Sequence, residues 1–168
     1  MSSTQTIQVI GICGLGQMGA AAVVSFKRAG YRVLAWDHDP RQLAALGSVC
    51  GGLETWMEQH LGPAPHPGGS VEPVADPGLV DQQADAILDC IVEDMAQKVE
   101  LFQRFPALKE RGGLFMTTTS GLSITEMGRR AGCGKLLAGT HFWNPPHLMP
   151  LVEVIRGEDT PDHVLDKT

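Results

Sequence analysis

Apolar positions in this chain fall into short runs that alternate with stretches of helical period. Gln8 to Cys13 is brief, apolar and stopped by glycine, the pattern of a buried strand. Met18 to Ala29 predicts a helix that ends at Gly30, a glycine in the position just past the last turn. Tyr31 to Trp36 alternates and then meets Asp37, which predicts a second strand. Strand, helix and strand within about thirty residues make a βαβ unit. Arg41 to Leu61 carries two weak helical stretches. Residues 62–78 differ: Pro63, Pro65, Pro67, Pro73 and Pro77 stand among several glycines. Proline lacks the amide donor, so this density excludes regular helix or central strand and predicts an exposed connector.

After the connector the alternation resumes. Ala84 to Val92 predicts a third strand, and Met95 to Phe105 a helix that Pro106 helps to end. Gly113 to Thr119 reads as a strand with a polar end. Ser123 to Ala131 reads as a helix, where Ser123 followed by Glu126 matches a capping box. Leu136 to Trp143 and Pro150 to Ile155 predict two more strands, joined by a segment that opens with Asn144-Pro145-Pro146. If these two pair antiparallel about His147, residues 141 and 153 face each other, ~5 Å apart at Cβ. The whole predicts one α/β domain over 1–168. Its doubly wound, mainly parallel sheet is covered by helices on both faces and ends in an antiparallel strand pair.

Composition narrows the function. The 168 residues carry a net charge of −6, which argues against a nucleic-acid binder. No apolar run approaches the ~18 residues of a membrane span. The opening Met1 to Gln8 is polar and lacks the features of a signal peptide. Cys13, Cys50, Cys90 and Cys133 are too widely spaced for a CxxC pair. No metal site is therefore expected, and free thiols suit a reducing, cytoplasmic setting.

The strongest local chemistry begins at Gly14-Leu15-Gly16-Gln17-Met18-Gly19. This GxGxxG string follows a strand, opens a helix and precedes Asp37 at the end of the next strand, the context of a Rossmann dinucleotide fingerprint. Gly14 makes the tight turn, Gly16 admits a pyrophosphate, and Gly19 lets helix and strand approach. The phosphates then rest on free amides at the helix start. Asp37 would accept hydrogen bonds from ribose hydroxyls and repel a 2′-phosphate, which predicts NAD rather than NADP. Arg41 lies outside the fingerprint.

Further on stand His141-Phe142-Trp143-Asn144-Pro145 and Leu148-Met149-Pro150-Leu151-Val152-Glu153-Val154. With the glycine loop, Ile91-Val92-Glu93-Asp94 plus Lys98, and Thr119-Ser120-Gly121-Leu122-Ser123-Ile124, this sequence resembles the 3-hydroxyacyl-CoA dehydrogenase family from about Val9 to Gly157. The resemblance implies NAD as cofactor and interconversion of an L-3-hydroxyacyl thioester with its 3-keto form. It implies His141 as general base and acid, a role that imidazole suits. Glu153 would orient it, and Ser120 would hydrogen-bond the reacting oxygen. Glu93, Lys98 and Thr118 would lie on the ribose and nicotinamide side of the cofactor, and Asn144 beside the substrate.

Three departures qualify what the resemblance implies. The chain ends at Asp166-Lys167-Thr168, where the family continues into a helical domain that supplies a catalytic Asn and the dimer contact. The expectation is a chain that binds NAD but catalyses poorly by itself, with a separate helical domain or a second copy as partner. Residues 42–82 contain no Lys or Arg, where the family presents basic residues to coenzyme A. A carrier-protein thioester or a small free hydroxy acid is therefore the alternative substrate. Thr118 stands where the family commonly has Asn. A dehydrogenase of the 3-hydroxyisobutyrate type shares the glycine loop but lacks the later signature. A non-catalytic NAD-binding or interaction module is the competing class, and such a module has no need of a base at the nicotinamide end.

Overall fold

The computed structural model describes residues 6–168. The expectation for the polar opening segment thus falls largely on residues outside the described ones. Strand β1 (Val9–Cys13) runs into the glycine loop and helix α1 (Gln17–Arg28), followed by β2 (Arg32–Trp36) and α2 (Pro40–Leu61). Next come β3 (Ser70–Pro73), α3 (Pro77–Gln83), β4 (Ala86–Asp89), α4 (Met95–Gln103) and α5 (Pro106–Glu110). The chain closes with β5 (Leu114–Thr117), α6 (Ile124–Ala131), β6 (Leu137–Phe142), β7 (Val152–Ile155) and α7 (Asp162–Leu165). One seven-stranded sheet has the order β3-β2-β1-β4-β5-β6-β7, parallel throughout except for the antiparallel β6–β7 pair. This is the doubly wound fold that the alternation of strands and helices predicts. The order reverses between β1 and β4, the point at which such sheets open a crevice beyond their strand ends.

The central strands are buried on both faces, so they are apolar rather than alternating until the polar last residues of β4 and β5, Asp89 and Thr117. One core layer is built from Phe102, Phe105, Phe115, Met127 and Leu137. The other is built from Ile10, Ile12, Val23, Val33, Leu88 and Ala138. Helix α1 lies close on the sheet through Ala20, Ala21, Ala22, Val23 and Val24, all nearly inaccessible.

Two regions differ from the sequence expectation. Residues 40–61 form one 22-residue helix, not two stretches. Its interior glycines Gly47, Gly51 and Gly52 each weaken a helix by about 1 kcal/mol. Burial of Leu46, Cys50 and Met57 and the Lys27–Glu54 ion pair, 2.7 Å, offset that cost. The connector 62–78 also contains regular structure. Ser70–Pro73 adds a parallel edge strand to β2, and Pro77 opens α3 behind the Asp76 cap. The prolines permit this because an edge strand can spare a donor and the first helical residue needs none. Pro106, expected to close α4, likewise opens α5. No described helix is long and apolar enough to cross a membrane.

Gly14 has a φ of +94°, and a Cβ there would stand 2.8 Å from the Cys90 backbone. A Cβ on Gly19 would stand 1.8 Å from the Gly14 carbonyl oxygen, whereas one on Gly16 would meet only open space. Gly19→Ala must therefore push α1 away from β1, and urea unfolding should show a loss of about 1–3 kcal/mol. Gly16→Ala should leave stability within about 0.5 kcal/mol of the parent.

Candidate active site

The parallel strands deliver their carboxyl ends to one edge. Gly14 follows β1, Asp37 follows β2, Cys90 follows β4 and Thr118 follows β5. His141 is the last residue but one of β6, and Glu153 the second of β7, at the same edge.

At the first crevice, a cavity of about 430 Å³ is lined by Gly14, Gly16, Trp36, Asp37, Ile91 and Gln97, among others. Asp37 is nearly buried. Its Oδ2 accepts from Leu15 N–H at 2.6 Å and its Oδ1 from Asp39 N–H at 2.8 Å. Each oxygen keeps a further acceptor direction, so the carboxylate both braces the glycine loop and faces the cavity. The backbone at Gly16 and Gln17 is exposed at the start of α1, as an anion cradle requires. Met18 is half-buried below it. These features fit a dinucleotide. The nearby cations are engaged: Arg41 binds Asp39 at 2.8 Å, and Arg104 binds Glu100 at 2.6 Å.

The antiparallel register pairs His141 with Glu153, as symmetry about His147 requires. His141 Nδ1 lies 2.6 Å from Glu153 Oε2, and His141 Nε2 lies 3.1 Å from Ser120 Oγ. A carboxylate only accepts, so the neutral ring donates from Nδ1 and turns its Nε2 lone pair to the serine hydroxyl. Trp143 Nε1–H donates to the same Glu153 oxygen at 3.2 Å, a role that its place in the signature does not by itself indicate. The hydrogen bonds from His141 and then Trp143 hold the Glu153 carboxyl below its ordinary range. Asn144 stands exposed at the turn after β6, before a cis bond to Pro145.

Beneath this line lies a second network. Asp89, at the end of β4, has no exposed side-chain surface, and neither has Lys98. Lys98 Nζ donates to Asp89 Oδ2 at 2.7 Å and to the Ile91 carbonyl at 3.3 Å. Thr117 Oγ1–H donates to the same Asp89 oxygen at 2.7 Å, and Ile91 N–H to the other at 3.0 Å. Burial raises the Asp89 carboxyl, and these donors act against it. Glu93 collects the next tier: its Oε1 accepts from Thr119 Oγ1 at 2.6 Å, Ser120 N–H at 2.9 Å and Gly121 N–H at 3.2 Å. Lys98 Nζ stands 3.8 Å from Glu93 Oε2. In this arrangement the expected cofactor-side residue Lys98 spends its hydrogen bonds inside the protein, and Glu93 carries its charge toward the surface. Thr118 is half-buried at the end of β5, its N–H donating to the Asp89 carbonyl. Sequence reading passed over Asp89, Thr117 and Thr119. The available signal was a lone carboxylate closing an apolar strand nine residues before a lysine.

Partial burial by itself would raise the Glu93 carboxyl. The Thr119 hydroxyl, the Ser120 and Gly121 amides and Lys98 outweigh it and hold the group below its ordinary 4.5. A depressed carboxyl stabilises the fold at neutral pH, and that contribution is lost only as pH falls through the depressed value. The Ser120 and Gly121 amide resonances should therefore titrate together with a midpoint below 4.5.

The model of the family described as 3-hydroxyacyl-CoA dehydrogenase, NAD binding domain, matches residues 9–168. The L-carnitine dehydrogenase of Nocardiopsis dassonvillei is 34% identical over 165 residues, covering 94% of this chain and 48% of that protein. The peroxisomal bifunctional enzyme of Homo sapiens is 29% identical over 155 residues, 92% of this chain and 21% of that protein. A crystal structure of 5-formyl-3-hydroxy-2-methylpyridine 4-carboxylic acid 5-dehydrogenase, an NAD+-dependent dismutase, superposes with a TM-score of 0.89 at 28% identity. It covers 96% of this chain and 52% of that one. The chain thus spans about half the length of one curated relative and about a fifth of the other.

Proposed function

Because the chain belongs to the 3-hydroxyacyl-CoA dehydrogenase family, through its NAD-binding domain, we propose that it carries the base and cofactor half of an NAD-dependent dehydrogenase that interconverts a 3-hydroxyacyl group and its 3-keto form. The observation that carries this reading is the Ser120–His141–Glu153 line at the sheet edge that also bears the glycine loop. Bound NAD supplies the hydride acceptor. When substrate binds, Ser120 Oγ–H turns from His141 Nε2 to the substrate oxygen, the freed Nε2 takes the hydroxyl proton, and Glu153 stabilises the imidazolium. In the reducing direction His141 returns the proton. Gly14 to Gly19 cradle the phosphates and Asp37 receives the adenosine ribose, with Glu93, Lys98 and Thr118 toward the nicotinamide side and Asn144 toward the substrate.

A helical partner, in the same polypeptide or a second one, belongs to this proposal. Trp143, Leu151, Val154 and Ile155 expose apolar surface along β7 and its approach, and the family relatives are longer than this chain.

The first substrate is a coenzyme A thioester. One observation favours a second reading, the same chemistry on a smaller or differently carried hydroxy acid. A cavity of about 350 Å³ between the glycine loop and the β6–β7 turn is lined by Gln17, Ala20, Val49, Leu53, Pro145 and His147, among others. No cation lines it, and Lys27 on the neighbouring helix is committed to Glu54. The name of the Nocardiopsis relative points the same way.

Fluorescence titration should give NADH at least about tenfold tighter than NADPH, a difference of ~1.4 kcal/mol, since Asp37 repels a 2′-phosphate and Arg41 is engaged. Equal affinities would remove the NAD assignment. His141→Ala should lower kcat by about 10²–10⁴-fold with NADH affinity retained. On the second reading, trimming a 3-hydroxybutyryl-CoA substrate to its pantetheine thioester should change KM by less than about threefold, because no Lys or Arg is among the described residues that line the cavity beside the β6–β7 turn. A rise beyond tenfold would restore a dedicated coenzyme A site.

A further inference from the structure

We propose that Glu93 is the positioning residue that holds Ser120 against His141, anchored in turn by the buried Asp89–Lys98 pair. This rests on the reading above, in which Ser120 and His141 act together on the substrate oxygen.

The segment between Thr117 and Ser123 belongs to no strand or helix, so no ladder fixes it. Its conformation is set instead by side chains. One oxygen of Glu93 gathers three successive donors, the Thr119 hydroxyl and the Ser120 and Gly121 amides. Thr119 Oγ1 also accepts from Leu122 N–H at 3.0 Å, which closes the turn on itself. Ser120 is exposed, and its hydroxyl touches His141. A single-bonded hydroxyl on an exposed loop keeps its place only if the backbone beneath it is held, and here the holding group is a carboxylate, whose charge shortens and strengthens each hydrogen bond.

That carboxylate is steadied from below. Glu93 is half-exposed and lies in the loop between β4 and α4, so its backbone alone does not fix the side chain. Two protons of the Lys98 ammonium go to Asp89 and the Ile91 carbonyl, and Glu93 Oε2 lies 3.8 Å from the same nitrogen. Asp89 reaches the loop by a second route: Thr117 Oγ1, which donates to Asp89, accepts from Thr119 N–H at 3.4 Å. Both tethers lead from a fully buried ion pair to the serine's loop, one through Glu93 to Thr119, Ser120 and Gly121 and the other through Thr117 to Thr119. Glu93 Oε1 takes the three loop donors, while Oε2 stands 3.8 Å from the Lys98 ammonium.

Four variants, Ser120→Ala, Glu93→Ala, Glu93→Gln and the Ser120→Ala/Glu93→Ala double, test this through the His141 Nε2 nitrogen resonance and kcat. Ser120→Ala should move the resonance and lower kcat. Glu93→Ala should move the resonance in the same direction by at least about half as much, and the double variant should be no worse than Ser120→Ala alone. Such a non-additive cycle marks one residue acting through another. Glu93→Gln keeps an acceptor oxygen for the three donors and should recover most of the Ser120–His141 coupling. A Glu93→Ala protein with the parental His141 resonance, alongside a shifted Ser120→Ala, overturns this inference and leaves the catalytic reading standing. A Ser120→Ala protein with parental resonance and kcat overturns the catalytic reading, and this inference with it.

Discussion

A carboxylate without solvent, Asp89, stands where the central strand β4 stops, and the site is organised around meeting its needs. Burying an unpaired charge costs several kcal/mol, so such a group survives only with close, well-directed partners. The carboxylate accepts three hydrogen bonds, from Lys98, Thr117 and the Ile91 amide, and the Asp89 backbone carbonyl accepts from Thr118 N–H. Those partners come from α4, β5 and the β4–α4 loop, the elements that frame the crevice at the strand-order reversal. The ion pair is thus a fastening between α4 and the loop that carries Ser120. Its removal from one side alone would leave an uncompensated charge in the core.

The His141–Glu153 couple is fastened differently. His141 and Glu153 sit on the outermost strand pair, half in water, and depend on register rather than burial. In an antiparallel pair, directly opposed residues point to the same face, so two side chains twelve positions apart in sequence meet without further help. Glu153 takes hydrogen bonds from His141 and Trp143 together, which fixes the carboxylate from two directions on an exposed edge. Shifting the register by one residue would turn Glu153 to the opposite face and end the pairing. The two fastenings meet at Ser120, held from below by Glu93 and bonded above to His141.

The glycine loop carries a third constraint, close approach. Gly14 and Gly19 have no room for a side chain because β1, α1 and the β4–α4 loop converge there, whereas Gly16 is open on its outer side. Asp37 ties the tip of β2 to this loop through Leu15. A single carboxylate thereby couples the shape of the phosphate cradle to the strand that would receive the ribose.

The sequence by itself determined the order of strands and helices, the glycine loop with Asp37, and the opposition of His141 to Glu153. Each is encoded locally: by period, by the absence of a Cβ, or by equal spacing about a turn. It misjudged 40–61 and 62–78, because each helical glycine costs only about 1 kcal/mol, which burial of Leu46, Cys50 and Met57 overrides, and because Pro73 and Pro77 fall at a sheet edge and a helix start, where no amide donor is needed. It also gave Lys98 and Glu93 no more than a place near the cofactor. That Lys98 is buried against Asp89, and that one oxygen of Glu93 gathers three donors around Ser120, was decided only by tertiary structure. These partners lie on different elements, and hydrogen bonds between them exist only once β4, β5 and α4 share one sheet edge.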